Sequence, residues 1–229
     1  MTAIRPVVRF AAIGAAAAVL IAGASPALAQ TEDHAPVGLK SATQMAQDKP
    51  GSESWTYAQP KSQFAKYRTA IVEPTVVYRG PDAQFEGIEA ADRTKFADII
   101  TNELRSELVK SFPSPARAQA DTVKIRVTIL GAEKTKGGIA TATRVTPLGF
   151  ATSALKSALG KSGTFTGSVL FAVEVFDGRT NELMLAAVRR RTPDPLDVPA
   201  TLSTTDTVKA VAREFADGAR KRLLELTGQ

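Results

Sequence analysis

The chain has no cysteine and a single histidine, His34, among its 229 residues. Without cysteine there can be no disulfide, thiolate metal site, cysteine nucleophile or lipidated N-terminal cysteine. His34 lies in a polar N-terminal tract, where a solvated tail residue is the default. A Ser-His-Asp triad needs an ordered imidazole beside its nucleophile, and a catalytic zinc usually takes two or three histidines. Nucleotide motifs are missing as well. Gly160-Lys161-Ser162 is the end of a phosphate-loop pattern, but Leu155 stands where that pattern requires its first glycine. There is no G-x-S-x-G elbow and no dinucleotide fingerprint. These absences point away from an enzyme and from any cofactor. Carboxylate-only chemistry, as in glycoside hydrolysis, stays open because it needs only two acids.

Strong charge is also lacking. The formal net charge is +6, with 29 Lys and Arg against 23 Asp and Glu. Two of those bases, Arg5 and Arg9, belong to a leader, so the mature chain keeps 29 less two, or 27, bases and a net charge of +4. Dedicated nucleic-acid binders concentrate basic residues on one face or arm, so nucleic acid is not an expected partner.

The leader is the first positive feature. Arg5 and Arg9 precede an apolar run from Phe10 to Ala22, and Ala27-Leu28-Ala29 is a small-x-small cleavage site. The run is shorter than the roughly 20 residues that span a bilayer. Cleavage after Ala29 and release of a soluble protein into a bacterial periplasm are therefore expected, without a lipid anchor. Gln30 to Glu53 is rich in Ser, Gln, Asp, Lys and Pro and reads as a disordered tether. Residues 54–229 form the expected folded domain.

That domain is organised around Tyr67 to Tyr78, a stretch dense in β-branched and aromatic residues that reads as a central strand. Pro74 breaks it into two short halves, since proline cannot donate to a ladder. Upstream, Trp55, Tyr57, Phe64 and Tyr67 are placed to lay the N-terminal arm onto the domain, or to form an exposed aromatic patch. Downstream, Phe96, Ile99, Ile100, Leu104, Leu108 and Phe112 recur at helical spacing and predict a helix over Glu89 to Ser111, stopped by Pro113 and Pro115. Thr122 to Leu130 alternates, with Val123, Ile125, Val127 and Ile129 on one face and Lys124, Arg126 and Thr128 on the other, as a half-buried strand does. Gly163 to Asp177 and Leu183 to Arg191 read as a hairpin joined at Asp177-Gly178-Arg179-Thr180-Asn181-Glu182. A last helix is predicted over Thr205 to Leu226, with Val208, Val211, Ala212, Phe215, Ala219, Leu223 and Leu226 as its buried stripe. The expected architecture is α+β: a two-layer sandwich with a mixed sheet of about four strands and two long helices on one face.

Three places could carry function. Asp82, after Gly80-Pro81 and near Arg79, lies in a loop beyond a strand end, where open α/β sheets bind ligands; an ordinary turn aspartate is the alternative. Ile139 to Gly160 is almost all Ala, Thr, Ser, Gly and Leu, and Phe150 to Leu159 can form a short small-residue crossover helix. Its apolar face, including Phe150 and Leu155, packs on the sheet or grips a partner. Arg189-Arg190-Arg191 is the sharpest charge run; Arg189 and Arg191 share one strand face and Arg190 takes the other. It would serve an anionic partner or protect an edge strand. Candidate binding residues are thus Asp82, Arg79, Phe150, Leu155, Arg189, Arg190 and Arg191.

The ordered series Tyr57-x-x-Pro60, Phe64-x-x-Tyr67, Val76-Val77-Tyr78, Gly80-Pro81-Asp82, Phe85-x-Gly87, Thr143-x-x-x-Pro147-Leu148-Gly149, Phe176-Asp177 and Arg189-Arg190 resembles the bacterial envelope family known as domain of unknown function 3313. The resemblance covers about Trp55 to Leu226. Many members of that family look like lipoproteins with a lipobox cysteine, from which this chain departs. The resemblance implies an envelope location and one domain, and supplies no catalytic residues.

The sequence therefore leads to an exported binding or accessory module for an envelope protein or polymer, with weak contact to anionic lipid as a further expectation. A carboxylate-dependent glycan hydrolase and a peripheral lipid-binding protein are the alternatives.

Overall fold

The computed structural model describes residues 35, 38–49, 54–85, 87–135, 167–194 and 203–229. Its scaffold is a mixed seven-stranded sheet. The strands are β1 (Ala46–Gln47), β2 (Trp55–Ala58), β3 (Thr69–Val72), β4 (Val76–Val77), β5 (Thr122–Ala132), β6 (Val169–Asp177) and β7 (Leu183–Arg191). The order across the sheet is β1-β2-β7-β6-β5-β3, and β4 also pairs with β5. Pairing is antiparallel except for β3 and β4, which both run parallel to β5. The described residues fall within one compact unit.

The mixed α+β class holds, but the expected count of about four strands is too low. The N-terminal arm adds β1 and β2 outside β7, and Pro74 divides one strand into β3 and β4. The Tyr67 to Tyr78 stretch is also not central. It lies along an edge, where the missing proline N–H breaks no ladder on both sides, while β5 and β6 occupy the middle of the sheet. Helix α1 (Ala90–Leu108) bridges the break at Pro74. Arg105 donates from Nε and Nη2 to the Val72 carbonyl at 3.2 and 3.0 Å, and the Thr75 N–H donates to Thr101 Oγ1 at 2.9 Å.

Both helices pack on one face of the sheet, as the two apolar stripes require. Phe96, Ile100, Leu104 and Leu108 of α1, and Val208, Val211, Ala212, Leu223 and Leu226 of α2 (Thr204–Thr227), join Val123, Ile125, Val127, Ile129 and Phe171 in one core. Burying each large apolar side chain contributes roughly 1.5–3 kcal/mol. At the start of α2 the Ser203 hydroxyl accepts from the Asp206 N–H at 3.1 Å, and at its end Gly228 takes the left-handed conformation (φ 72°). Arg220 of α2 donates to Glu107 of α1 at 2.7 Å, clamping the two helices together.

The other face carries a second, smaller apolar cluster. Leu130, Leu170, Ala172 and Val188 are buried there beneath Leu39, Met45, Trp55 and Tyr78. Residues 38–49, within the stretch expected to be a tether, include a 3-10 turn (Ala42–Gln44) and β1. Leu39 and Met45 give this polar segment enough apolar surface to dock. Gly131 sits at a bulge in β5, where an added Cβ would lie 2.5 Å from the Gln84 carbonyl oxygen. The small-residue crossover helix expected over Phe150 to Leu159, with Phe150 and Leu155, lies outside the described residues, as does the expected leader. Among the described residues no helix is long and apolar enough to cross a membrane.

Candidate functional site

Residues 38–44 cross the open face of the sheet and roof a cleft of about 750 Å³. Its floor comes from alternate positions of the two central strands: Arg126 and Thr128 of β5, Glu174 and Phe176 of β6. Alternation puts these four on the face away from the helices. Leu39, Val76, Tyr78, Phe176 and Leu183 supply apolar walls, and Lys40, Ser41 and Asn181 add polar groups.

The lining departs from the usual rule that buried polar groups are hydrogen-bonded. Ser41, Thr128 and Glu174 are 1%, 4% and 4% exposed. The Ser41 hydroxyl has no hydrogen-bond partner. Nor do the side chains of Thr128 and Glu174 have one among the described residues. Arg126 is directly opposite Glu174 in the β5–β6 register, yet it turns away. Its Nε donates to Glu73 at 2.8 Å and its guanidinium stacks 5.1 Å from the centre of the Phe176 ring. The carboxylate is thus left facing the cleft.

The roof is pinned through Tyr78. Its hydroxyl donates to Asp82 Oδ1 at 2.6 Å and accepts from the Gly38 N–H at 3.2 Å. Burial, and then the Asp82 carboxylate, push the Tyr78 phenol above its usual range. The ring passes so close to Gly80 that an added Cβ there would lie 2.0 Å from the hydroxyl oxygen. Asp82, the acid singled out by the sequence, therefore holds a wall of the cleft in place.

The family model described as protein of unknown function (DUF3313) matches residues 37–219. The chain belongs to that family. The match begins upstream of Trp55, and so takes in the arm that roofs the cleft. Among solved structures, a dodecamer of a point variant of PelC from Paraburkholderia phytofirmans is 11% identical, with 76% of this chain and 95% of that chain covered and a TM-score of 0.38. A second PelC dodecamer from Paraburkholderia phytofirmans is 13% identical over 72% and 96% of the two chains, with a TM-score of 0.37. A candidate lipoprotein from Caulobacter crescentus CB15 is 14% identical over 73% and 92%, with a TM-score of 0.29. No curated protein matches this chain.

The other described sequence candidates do not converge on the cleft. Arg79 is exposed. Arg189 is spent on the N-terminal arm: Nη1 donates to the Trp55 carbonyl at 2.8 Å, and Nη2 to Asp48 at 2.8 Å and Thr56 at 2.6 Å. Burial pulls its guanidinium below the usual range, and the Asp48 carboxylate pulls the other way. Arg190, on the opposite face, donates to Glu133, Ser168 and Gln84 at 3.2, 2.8 and 2.6 Å. β2 pairs with residues 185–188 of β7 and ends just before the run. Arg189 and Arg191 border a second groove of about 550 Å³, between α2 and the outer strands, floored by Phe171, Val173, Leu185, Ala187 and Phe215. Among the described residues no cluster of three His, Cys, Asp or Glu could hold a metal.

Sequence reasoning missed Glu174 and Ser41. A trace of Glu174 was there to read, as a lone charge within the apolar run Val169-Leu170-Phe171-Ala172-Val173-Glu174-Val175-Phe176. Nothing local marks Ser41, whose burial depends on a segment docking far from its own sequence neighbours.

Proposed function

We propose that this protein is an exported, non-enzymatic binding module of the bacterial envelope, taking a protein or polymer partner at the cleft over the open face of the sheet. One observation carries the reading: a carboxylate and two hydroxyls, on residues that are all buried, line a ligand-sized cleft with no side-chain hydrogen bond among the described residues. Small-ligand sites are commonly concavities of about 300–1,000 Å³ with a few convergent polar groups in apolar walls. Cleavage after Ala29 would deliver the mature chain to the periplasm, and its lack of cysteine leaves it unlipidated.

Two features weigh against a glycan hydrolase. Hydrolysis needs paired carboxyl groups flanking the bond, and among the described residues lining the cleft Glu174 is the only carboxylate. The nearest alternatives are engaged, Glu73 with Arg126 and Asp82 with Tyr78. A role at anionic lipid loses support because Arg189 and Arg190 are consumed within the fold. The reading calls for no cofactor and no nucleic acid.

The test is photo-crosslinking in the native envelope. A benzophenone amino acid replaces Val76, which lines the cleft and is 49% exposed, or Val109, which is 54% exposed and lies elsewhere. Discrete adducts at Val76 and not at Val109, on a protein whose intact mass begins at Gln30, are expected. Equal labelling at both sites, or a full-length species held in the membrane, would overturn the reading.

A further inference from the structure

We infer that the cleft takes a neutral, hydroxyl-rich ligand, a sugar ring or short oligosaccharide, with Glu174 as the acceptor that orients it. This rests on the binding-module reading and adds the class of ligand.

The signs of charge around the floor decide the class. Glu174 faces the cleft, Arg126 lies opposite it in the strand register, and Lys40 lines the same space. An anion would have to approach the unpartnered carboxylate. A cation would have to approach Arg126 and Lys40. A neutral hydroxyl meets neither obstacle, since it donates to a carboxylate oxygen and accepts from a cationic N–H with the same oxygen atom. Arg126 has donors to give: its Nε is committed to Glu73, and its Nη atoms make no hydrogen bond with a described residue.

The remaining polar groups of the lining suit the same chemistry. Ser41 and Thr128 carry hydroxyls that both donate and accept; both residues are buried, the Ser41 hydroxyl has no partner, and that of Thr128 has none among the described residues. Several adjacent hydroxyls on one ring could engage Glu174, Thr128 and Ser41 together. Leu39, Val76 and Leu183 offer apolar contact for the C–H faces of such a ring. An apolar ligand of the same size would leave the buried carboxylate and hydroxyls unsatisfied, which is the costlier outcome.

Glu174 stands at a strand position where Leu or Val would pack, and a ligand hydroxyl would supply the donor that no described residue gives its carboxylate.

The test is an amide chemical-shift titration of the mature protein with maltotriose, cellotriose and chitotriose in turn, and with spermidine and inorganic phosphate as charged counterparts. At least one trisaccharide is expected to give saturable shifts confined to residues 38–44, 76–78, 126–128 and 174–183. Glu174→Leu should weaken that binding on the order of tenfold to a hundredfold, the loss expected for a charged hydrogen bond, while thermal unfolding holds or moves upward. Ser41→Ala, which leaves the strands untouched, should weaken it by a smaller factor. Saturation of the same signals by spermidine or phosphate, no shift with any trisaccharide, or unchanged affinity in both variants would overturn the ligand class. Adducts at Val76 without trisaccharide binding would leave the binding module standing and remove only this inference. Loss of both would remove both.

Discussion

The Tyr67 hydroxyl donates to Asp177 Oδ2 at 2.8 Å and closes the sheet across 110 residues of chain. Tyr67 is fully buried just before β3, and Asp177 ends β6. Lys66 donates to the same oxygen at 2.8 Å, and the Arg179 and Thr180 N–H groups donate to Oδ1 at 2.9 and 2.8 Å. One carboxylate therefore fixes a hairpin turn and ties it to the entry of the edge strand.

That geometry predicts an acid-sensitive contribution to stability. Burial opposes ionisation of Asp177, but the Lys66 ammonium, the two turn N–H groups and the Tyr67 hydroxyl outweigh it and hold the carboxyl well below the usual carboxylate range. A depressed folded-state pKa stabilises the fold fully above the unfolded value, about 3.9, and the contribution drains away as pH falls below it. Tyr67 is shifted the other way: burial first, and then Asp177, push its phenol up. Its contribution is present below the unfolded value of about 10 and is lost as pH rises beyond that. Asp177→Ala should cost about 2–3 kcal/mol at pH 7, since it strands a buried hydroxyl and removes charged hydrogen bonds. Urea unfolding of both proteins from pH 7 down to pH 2 checks this. The gap between them should narrow only below about pH 4.

The N-terminal arm should peel when its clamp is removed. Arg189 is the side chain that joins β7 to the Trp55 carbonyl, Thr56 and Asp48 at once. Arg189→Ala should cost about 1–3 kcal/mol. Arg189→Lys should recover little, because an ammonium lacks the planar fork that reaches several acceptors. Hydrogen exchange should speed up in residues 46–47 and 55–58 before the rest of the sheet. Protection unchanged there in Arg189→Ala would mean that the β2–β7 ladder alone holds the arm.

The helices and the long strands were legible in the sequence because each carries a sustained local period. Phe96 to Leu108 and Val208 to Leu226 repeat at helical spacing, and Val123 to Ile129 alternates, so the bounds of β7 and nearly those of α1, β5 and α2 follow from the residues alone. The arm was not legible. β1 has two residues and β2 four, too few for any period to show, and the pairing of β1 with β2 and of β2 with β7 is set across the fold. The strand density of Tyr67 to Val77 was read correctly but placed in the wrong part of the sheet, although Pro74 already favours an edge. For the site, Asp82 and the arginine run were visible as charge in turns and strands. The arm that engages Arg189 comes from distant chain, whereas the Tyr78 hydroxyl that holds Asp82 is four residues away and shows no periodic signal. Glu174 and Ser41, without a partner among the described residues, become conspicuous only once the arm is docked.

A final prediction concerns Gly218, within α2. Glycine in a helix interior is less favourable than alanine by about 1 kcal/mol, chiefly through the backbone freedom it gives the unfolded chain. It is normally kept where a side chain would collide with a neighbour. Here a Cβ added to Gly218 meets nothing within 4 Å, because the residue opens onto the groove between α2 and the outer strands, beside Phe215 and Ala219. Gly218→Ala should therefore stabilise the protein by about 1 kcal/mol, visible as a higher urea midpoint with an unchanged denaturant slope. Gly218→Leu should also fold, since the groove has room for a larger side chain. A lowered midpoint for Gly218→Ala would show that the space beside Gly218 is filled in solution, and the groove would then have to be read as an occupied contact.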